Sequence, residues 1–135
     1  MCFGDFEGML LKEFDEEYKE YLRAWAAGET DRRFPGTRGE SPDDVAARAL
    51  DGLRAVGLLG GSQPNEGSHV CIVAHGRFNK ILIAALQGDV SKTAAIEQGN
   101  TCINVIDLSP EGRAVLQAVN VRDHLPAGER LEAKV

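Results

Sequence analysis

The spacing of apolar positions changes along this chain, and each change predicts an element. Phe14, Tyr18, Tyr21, Leu22 and Trp25 recur at steps of three and four, with charged residues between them. That is the period of an amphipathic helix, closed near Gly28. An aromatic stripe at this spacing is expected to pack into a core rather than stack on a ligand. Upstream, Phe3-Gly4-Asp5-Phe6-Glu7-Gly8 is punctuated by glycine and reads as a loop or short strand end. Ser41-Pro42-Asp43-Asp44 carries the signals of a helix start: a serine cap, proline at the first helical position and acidic residues in the first turn. The helix that follows places Val45, Ala49, Leu50, Leu53 and Val56 on one side and stops before Gly60-Gly61. Ser62 to Ser68 reads as a polar surface loop.

Val70-Cys71-Ile72-Val73-Ala74 is apolar at every position and lacks the alternation of a half-exposed strand. Bounded by loop and glycine, it predicts a strand buried on both faces, as in a parallel α/β sheet. His75-Gly76 ends it, and Phe78, Ile81, Leu82, Ala85 and Leu86 then form a helical stripe ending at Gly88. Ser91 is placed to cap a short helix reaching about Glu97. Cys102 to Leu108 and Ala114 to Val121 predict an antiparallel hairpin around the turn Ser109-Pro110-Glu111-Gly112. From Asp123 the tail is expected to fray. The fold class expected is therefore α/β: an incomplete three-layer α/β/α arrangement with one buried parallel strand, a carboxyl-terminal antiparallel hairpin and helices packed on the sheet. A doubly buried strand needs neighbours on both sides, and one hairpin leaves at least one edge open. Self-association through that edge is one way to cover it.

Composition narrows the partners. The 135 residues fit a single domain, 1–135, and 43% hydrophobic with 27% charged residues is an ordinary folded composition. A net charge of −6 argues against nucleic acid or an anionic membrane, which both call for a basic face. No apolar run approaches the roughly 18 residues of a membrane span. Met1 to Leu10 carries Asp5 and Glu7 and no basic cluster, unlike a secretory signal. Cys2, Cys71 and Cys102 have no metal-site spacing and read as reduced, buried thiols of a cytoplasmic protein. No metal or organic cofactor is implied by any spacing.

His75 stands out among the three histidines. His69 is a boundary residue before the strand, and His124 reads as packing or capping. His75 lies at the carboxyl end of the predicted strand and just ahead of a helix N-terminus, where α/β proteins bind ligands and free N–H groups favour an anion. Gly76 keeps that terminus open to a ligand, and Arg77 adds a permanent cation. The loop from Thr30 to Glu40 concentrates Arg32, Arg33 and Arg38; solvation is the plain reading, an anion-attracting rim the functional one. No nucleophile elbow, Walker loop or dinucleotide fingerprint is present.

Together these residues resemble a known family. Val73-Ala74-His75-Gly76 running into an apolar helix looks like the second-histidine motif of the histidine phosphatase (phosphoglycerate mutase-like) superfamily. Phe3-Gly4-Asp5-Phe6-Glu7-Gly8 is similar to its F-G-x-W-E-G segment. Phe34-Pro35-Gly36 with Gly39-Glu40-Ser41-Pro42 resembles its F-P-G-G-E-S helix start, with Thr37-Arg38 inserted. Gly99 to Val105 and Asp123-His124-Leu125 follow in the family's order. The resemblance implies a phosphohistidine mechanism acting on a phosphomonoester, with no cofactor. It makes His75 the second, charge-stabilising catalytic histidine, and His75, Gly76 and Arg77 phosphate-binding. It puts Arg38, Glu40 and Ser41 toward the substrate side. The family's R-H-G nucleophile triplet does not occur here, and its acid glutamate would fall immediately before Met1. The expectation is thus the carboxyl-terminal portion of such an enzyme, inactive alone, with a phosphorylated small molecule or free phosphate as ligand. The alternative is a non-catalytic binding or interaction module.

Overall fold

The computed structural model describes residues 1–60, 68–109 and 113–126. Helix α1 spans Leu11–Ala26, and Phe14 near its start has non-helical backbone angles that kink the first turn. The Leu10 N–H donates to the Glu13 carboxylate at 2.8 Å, satisfying one amide at that end. Phe14, Tyr18 and Trp25 are buried along it, so the aromatic stripe is a core face. Helix α2 spans Pro42–Ala55 and opens as expected. The Asp44 N–H donates to Ser41 Oγ at 3.1 Å, and Ser41 N–H donates to the Asp44 carboxylate at 2.9 Å. This reciprocal box satisfies two amides that the helix cannot. Val56 follows the periodicity but is the cap residue, and it is 66% exposed rather than on the buried side.

Helix α3 spans Gly76–Leu86 and packs against α2 and the short 3₁₀ helix Val90–Ala95. Asp89, not Ser91, caps that 3₁₀ helix: its carboxylate accepts from the Ser91 N–H and hydroxyl. Strands β1 (Ile103–Leu108) and β2 (Ala114–Val121) pair antiparallel, with register shifts near Asn104. Asn120 (φ 58°) sits opposite that irregularity, as a bulge requires. The turn centred on Pro110–Gly112, most of the 62–68 loop and the tail from 127 lie outside the described residues.

Helices with an antiparallel sheet give the mixed α/β architecture expected. The buried parallel strand is a correction. Val70–Ala74 has no strand pairing among the described residues and is exposed throughout, Val73 to 93%. Its apolar content suits a sheet interior, but burial needs hydrogen-bonded neighbours on both sides, and no described strand lies beside it. Cys71 is exposed with it, and Cys2 and Cys102 are half-buried, so the expectation of buried thiols fails too.

Among the described residues three apolar clusters hold the fold; in one, Val45 and Ala46 of α2 pack against Ile81 of α3. Phe6, Phe14, Tyr18, Trp25 and Phe34 form an aromatic cluster with Phe3 and Tyr21 at its edge. Phe34, 1% exposed, is its centre, with the rings of Phe3, Tyr21 and Trp25 all within 5.0 Å. Ala49, Leu53, Leu58, Leu59 and Leu82 join α2 to α3, and Leu108 of β1 packs against them.

Candidate functional site

The two glycine-rich segments of the amino-terminal region fold as one unit. Phe3–Gly8 contains a single 3₁₀ turn, Gly4–Phe6, rather than a strand end. Its Asp5 N–H donates to the Pro35 carbonyl at 2.9 Å, and the Glu40 N–H donates to the Cys2 carbonyl at 3.0 Å. Gly4 has φ +61°, and a Cβ there would lie 1.9 Å from the Pro35 oxygen. A Cβ on Gly39 would lie 1.9 Å from the Phe34 oxygen. Only glycine lets these backbones approach so closely.

This junction shapes an open cleft of about 880 Å³ whose lining includes Glu7, Arg38, Glu40 and Arg48. Arg38 is exposed on its wall. Glu40 is held from two sides: Arg48 Nε and Nη2 donate to its carboxylate at 2.5 and 3.2 Å, and the Cys2 N–H donates at 2.5 Å. The Arg48 hydrogen bond holds the Glu40 carboxyl below its usual range, against the opposing effect of burial. Arg38 and Glu40 therefore share one cleft. Ser41 does not open onto it. It is 2% exposed, and its hydroxyl also donates to the Asp44 carboxylate at 2.9 Å, so the cap uses the whole side chain.

His75 is the N-cap residue of α3, with extended backbone (φ −85°, ψ 148°) and no side-chain cap hydrogen bond. Its carbonyl accepts from the Asn79 N–H at 2.9 Å, which starts the helix ladder. The N–H groups of Gly76, Arg77 and Phe78 precede that first bond and lack helical partners. The His75 ring is exposed beside this positive helix end. His75, Gly76 and Arg77 are thus consecutive at one terminus, while His75 lines neither the Arg38–Glu40 cleft nor the aromatic cavity described next.

The Arg77 side chain runs into the aromatic cluster. Its guanidinium carbon is 4.9 Å from the Tyr18 ring centre and 5.5 Å from that of Phe3. Nη1 is sealed from solvent and has no hydrogen-bond partner among the described residues. Burial lowers the guanidinium pKa to about 10, still well above neutrality, so the charge is kept. Arg77 also lines a cavity of about 340 Å³ with Phe3, Phe6, Glu7, Phe14 and Tyr18.

Gln98 and Arg48 are the residues that sequence reasoning missed. Gln98, 4% exposed, forms a reciprocal amide pair with Asn104, both hydrogen bonds 2.8 Å. Asn104 Oδ1 also accepts from the Asn120 N–H, and Asn120 Oδ1 accepts from the Gly99 N–H at 2.7 Å. The Gln98 Cβ lies 3.7 Å from where a Gly76 Cβ would be, so this network backs the start of α3 and ties the hairpin to it. Its signal was a polar residue followed by Gly99-Asn100, which reads equally well as an ordinary loop. His124 closes the same corner, Nε2 lying 3.1 Å from the Thr101 carbonyl.

The profile of the histidine phosphatase superfamily (branch 1) matches residues 1–121. No curated protein matches the chain.

Proposed function

The chain belongs to the histidine phosphatase superfamily, and from that premise we propose that His75 and the first turn of α3 bind the phosphoryl group of a phosphomonoester. The observation that carries this reading is an exposed imidazole at the cap of a helix whose first N–H groups have no helical partner. An anion there meets oriented N–H dipoles, and the His75 ring can donate to a phosphoryl oxygen. Gly76 and Arg77 contribute backbone N–H groups, since the Arg77 guanidinium is committed to the aromatic cluster. In phosphoryl transfer the negative charge is spread over the equatorial oxygens, so His75 serves by stabilising charge rather than by attacking phosphorus. The 135 residues contain no Arg-His-Gly triplet, so these residues are not expected to turn over substrate by themselves. Arg38 and Glu40 share a cleft that His75 does not line, and the family pattern is what assigns them to the substrate side.

Thermal melting in phosphate or orthovanadate, against chloride at matched ionic strength, tests the reading. Both oxyanions should raise the melting temperature of the native chain, and His75→Ala should lose the shift. Equal shifts in both proteins, or none in either, count against it. p-Nitrophenyl phosphate should not be hydrolysed; hydrolysis abolished by His75→Ala would assign that histidine a different role.

A second reading, an interaction module, is favoured by the exposed run Val70–Ala74. It predicts concentration-dependent association, measured by sedimentation velocity and reduced by Val73→Lys.

A further inference from the structure

The buried end of Arg77 is not used by the phosphate site. A guanidinium N–H without a partner costs more than an exposed one, because burial removes its water and nothing replaces it. Among the described residues Arg77 has no ion pair, and its contacts are ring faces. The cavity it lines is about 340 Å³, within the ~300–1,000 Å³ range of small-molecule pockets. Its walls include Phe3, Phe6, Phe14, Met9 and Leu11, together with the Tyr18 ring and its phenol hydroxyl. Glu7, the other charged residue on the lining, is exposed, and one of its oxygens already accepts from the Phe3 N–H at 2.7 Å. Solvent screens that carboxylate far more than it screens the sealed guanidinium. The net preference is for an anion at the Arg77 end and an apolar body along the rings.

We propose that the Phe3–Phe14–Tyr18 cavity headed by Arg77 binds a small amphipathic carboxylate, an aryl or short acyl chain ending in one carboxyl group. Arg77 lines the cavity while its Nη1 is sealed, so the carboxylate would pair with the guanidinium charge from the cavity side, and the chain or ring would fill the aromatic space. This site is separate from the helix terminus at His75 and does not depend on phosphate binding there.

Isothermal titration calorimetry on the full chain, with phenylacetate as probe, tests it. Phenylacetate should bind saturably, and the neutral phenylacetamide and the short acetate should each bind at least tenfold more weakly. Arg77→Met should weaken phenylacetate at least tenfold, and His75→Ala should leave it unchanged. Equal affinity for phenylacetamide would reduce the cavity to an apolar hole. Equal affinity for acetate would leave only a bare anion site, and loss of binding in His75→Ala would move the ligand to the helix terminus; each overturns the proposal. Absence of saturable phenylacetate binding overturns it as well. The two ligand comparisons use the native chain, so they decide the matter even if Arg77→Met fails to fold.

Discussion

The guanidinium of Arg77 lies 4.9 Å from the centre of the Tyr18 ring, stacked on a side chain that is itself buried in the core. A cation–π contact contributes about 0.5–1 kcal/mol when exposed and about 2 kcal/mol or more when desolvated, whereas an unmade hydrogen bond to a buried charged group costs about 1–3 kcal/mol or more. The orphaned N–H therefore offsets the gain from the rings. Arg77→Met keeps the aliphatic stem and removes the orphaned N–H, so urea unfolding should show stability unchanged or raised by up to about 2 kcal/mol. A loss of more than about 1 kcal/mol would show that the ring contacts dominate.

Gly39 and Gly52 should respond to alanine in opposite directions. A Cβ at 39 would sit 1.9 Å from the Phe34 carbonyl oxygen, a backbone atom that cannot yield without moving the centre of the aromatic cluster. Gly39→Ala is expected to lose at least ~3 kcal/mol, at the severe end for single substitutions, or fail to fold. Gly52 lies within α2 with nothing within 4 Å of its absent Cβ, so Gly52→Ala should gain about 0.5–1 kcal/mol from helix propensity. Chemical denaturation of both variants checks the pair.

Ser41→Ala removes the acceptor for the Asp44 N–H and the hydroxyl donor to the Asp44 carboxylate. Loss of an N-cap costs about 0.5–2 kcal/mol, and the burial of Ser41 itself puts this case toward the upper end. Ser41→Asp, which keeps an acceptor but sets a second carboxylate against Asp44, should recover only part of that loss. Recovery beyond native stability would contradict a stabilising role for the hydroxyl as donor to the Asp44 carboxylate.

Glu40 sets an acid limit. The Arg48 hydrogen bond holds its folded-state carboxyl below the ordinary value of 4.5, so the folded state binds that proton less readily than the unfolded chain. Its stabilisation is therefore fully present above about pH 4.5 and is lost as pH falls through the lower folded value. Glu40→Gln should be less stable than the native protein at pH 7, with the gap in melting temperature narrowing below pH 4.5. A gap independent of pH would separate Glu40 from the acid response.

Periodicity was enough for α1, α2, α3 and both strands, because each turns one face inward, buried in the helices and half-buried in the strands, and repeats that choice along its length. It failed where burial depends on a partner. Val70–Ala74 has the composition of a sheet interior, yet composition cannot supply the adjacent strands, and the run stays exposed. Val56 failed for a local reason: it keeps the helical spacing but falls on the cap, where the backbone has already left the helix (φ −96°, ψ 11°). At the candidate site, His75 and Gly76 were legible because a strand-like run meeting an apolar helix marks the terminus between them. The course of the Arg77 side chain was not, since it is set by Phe3 and Tyr18, more than fifty positions away in sequence. Arg48 was hidden likewise, its reach to Glu40 arising only once α2 is formed.

Trp25 is the chain's single tryptophan, and it is wedged edge-on against Phe34 with its Nε1–H donating to the Arg32 carbonyl at 2.7 Å. Its emission therefore watches only the amino-terminal aromatic cluster and is blind to the hairpin. Circular dichroism follows the whole backbone, so superimposed urea curves from the two signals would mean that cluster and hairpin melt as one cooperative unit. Separated curves would mean that the ring-rich end and the carboxyl-terminal strands come apart independently. The chain carries its own optical label for one half of that comparison.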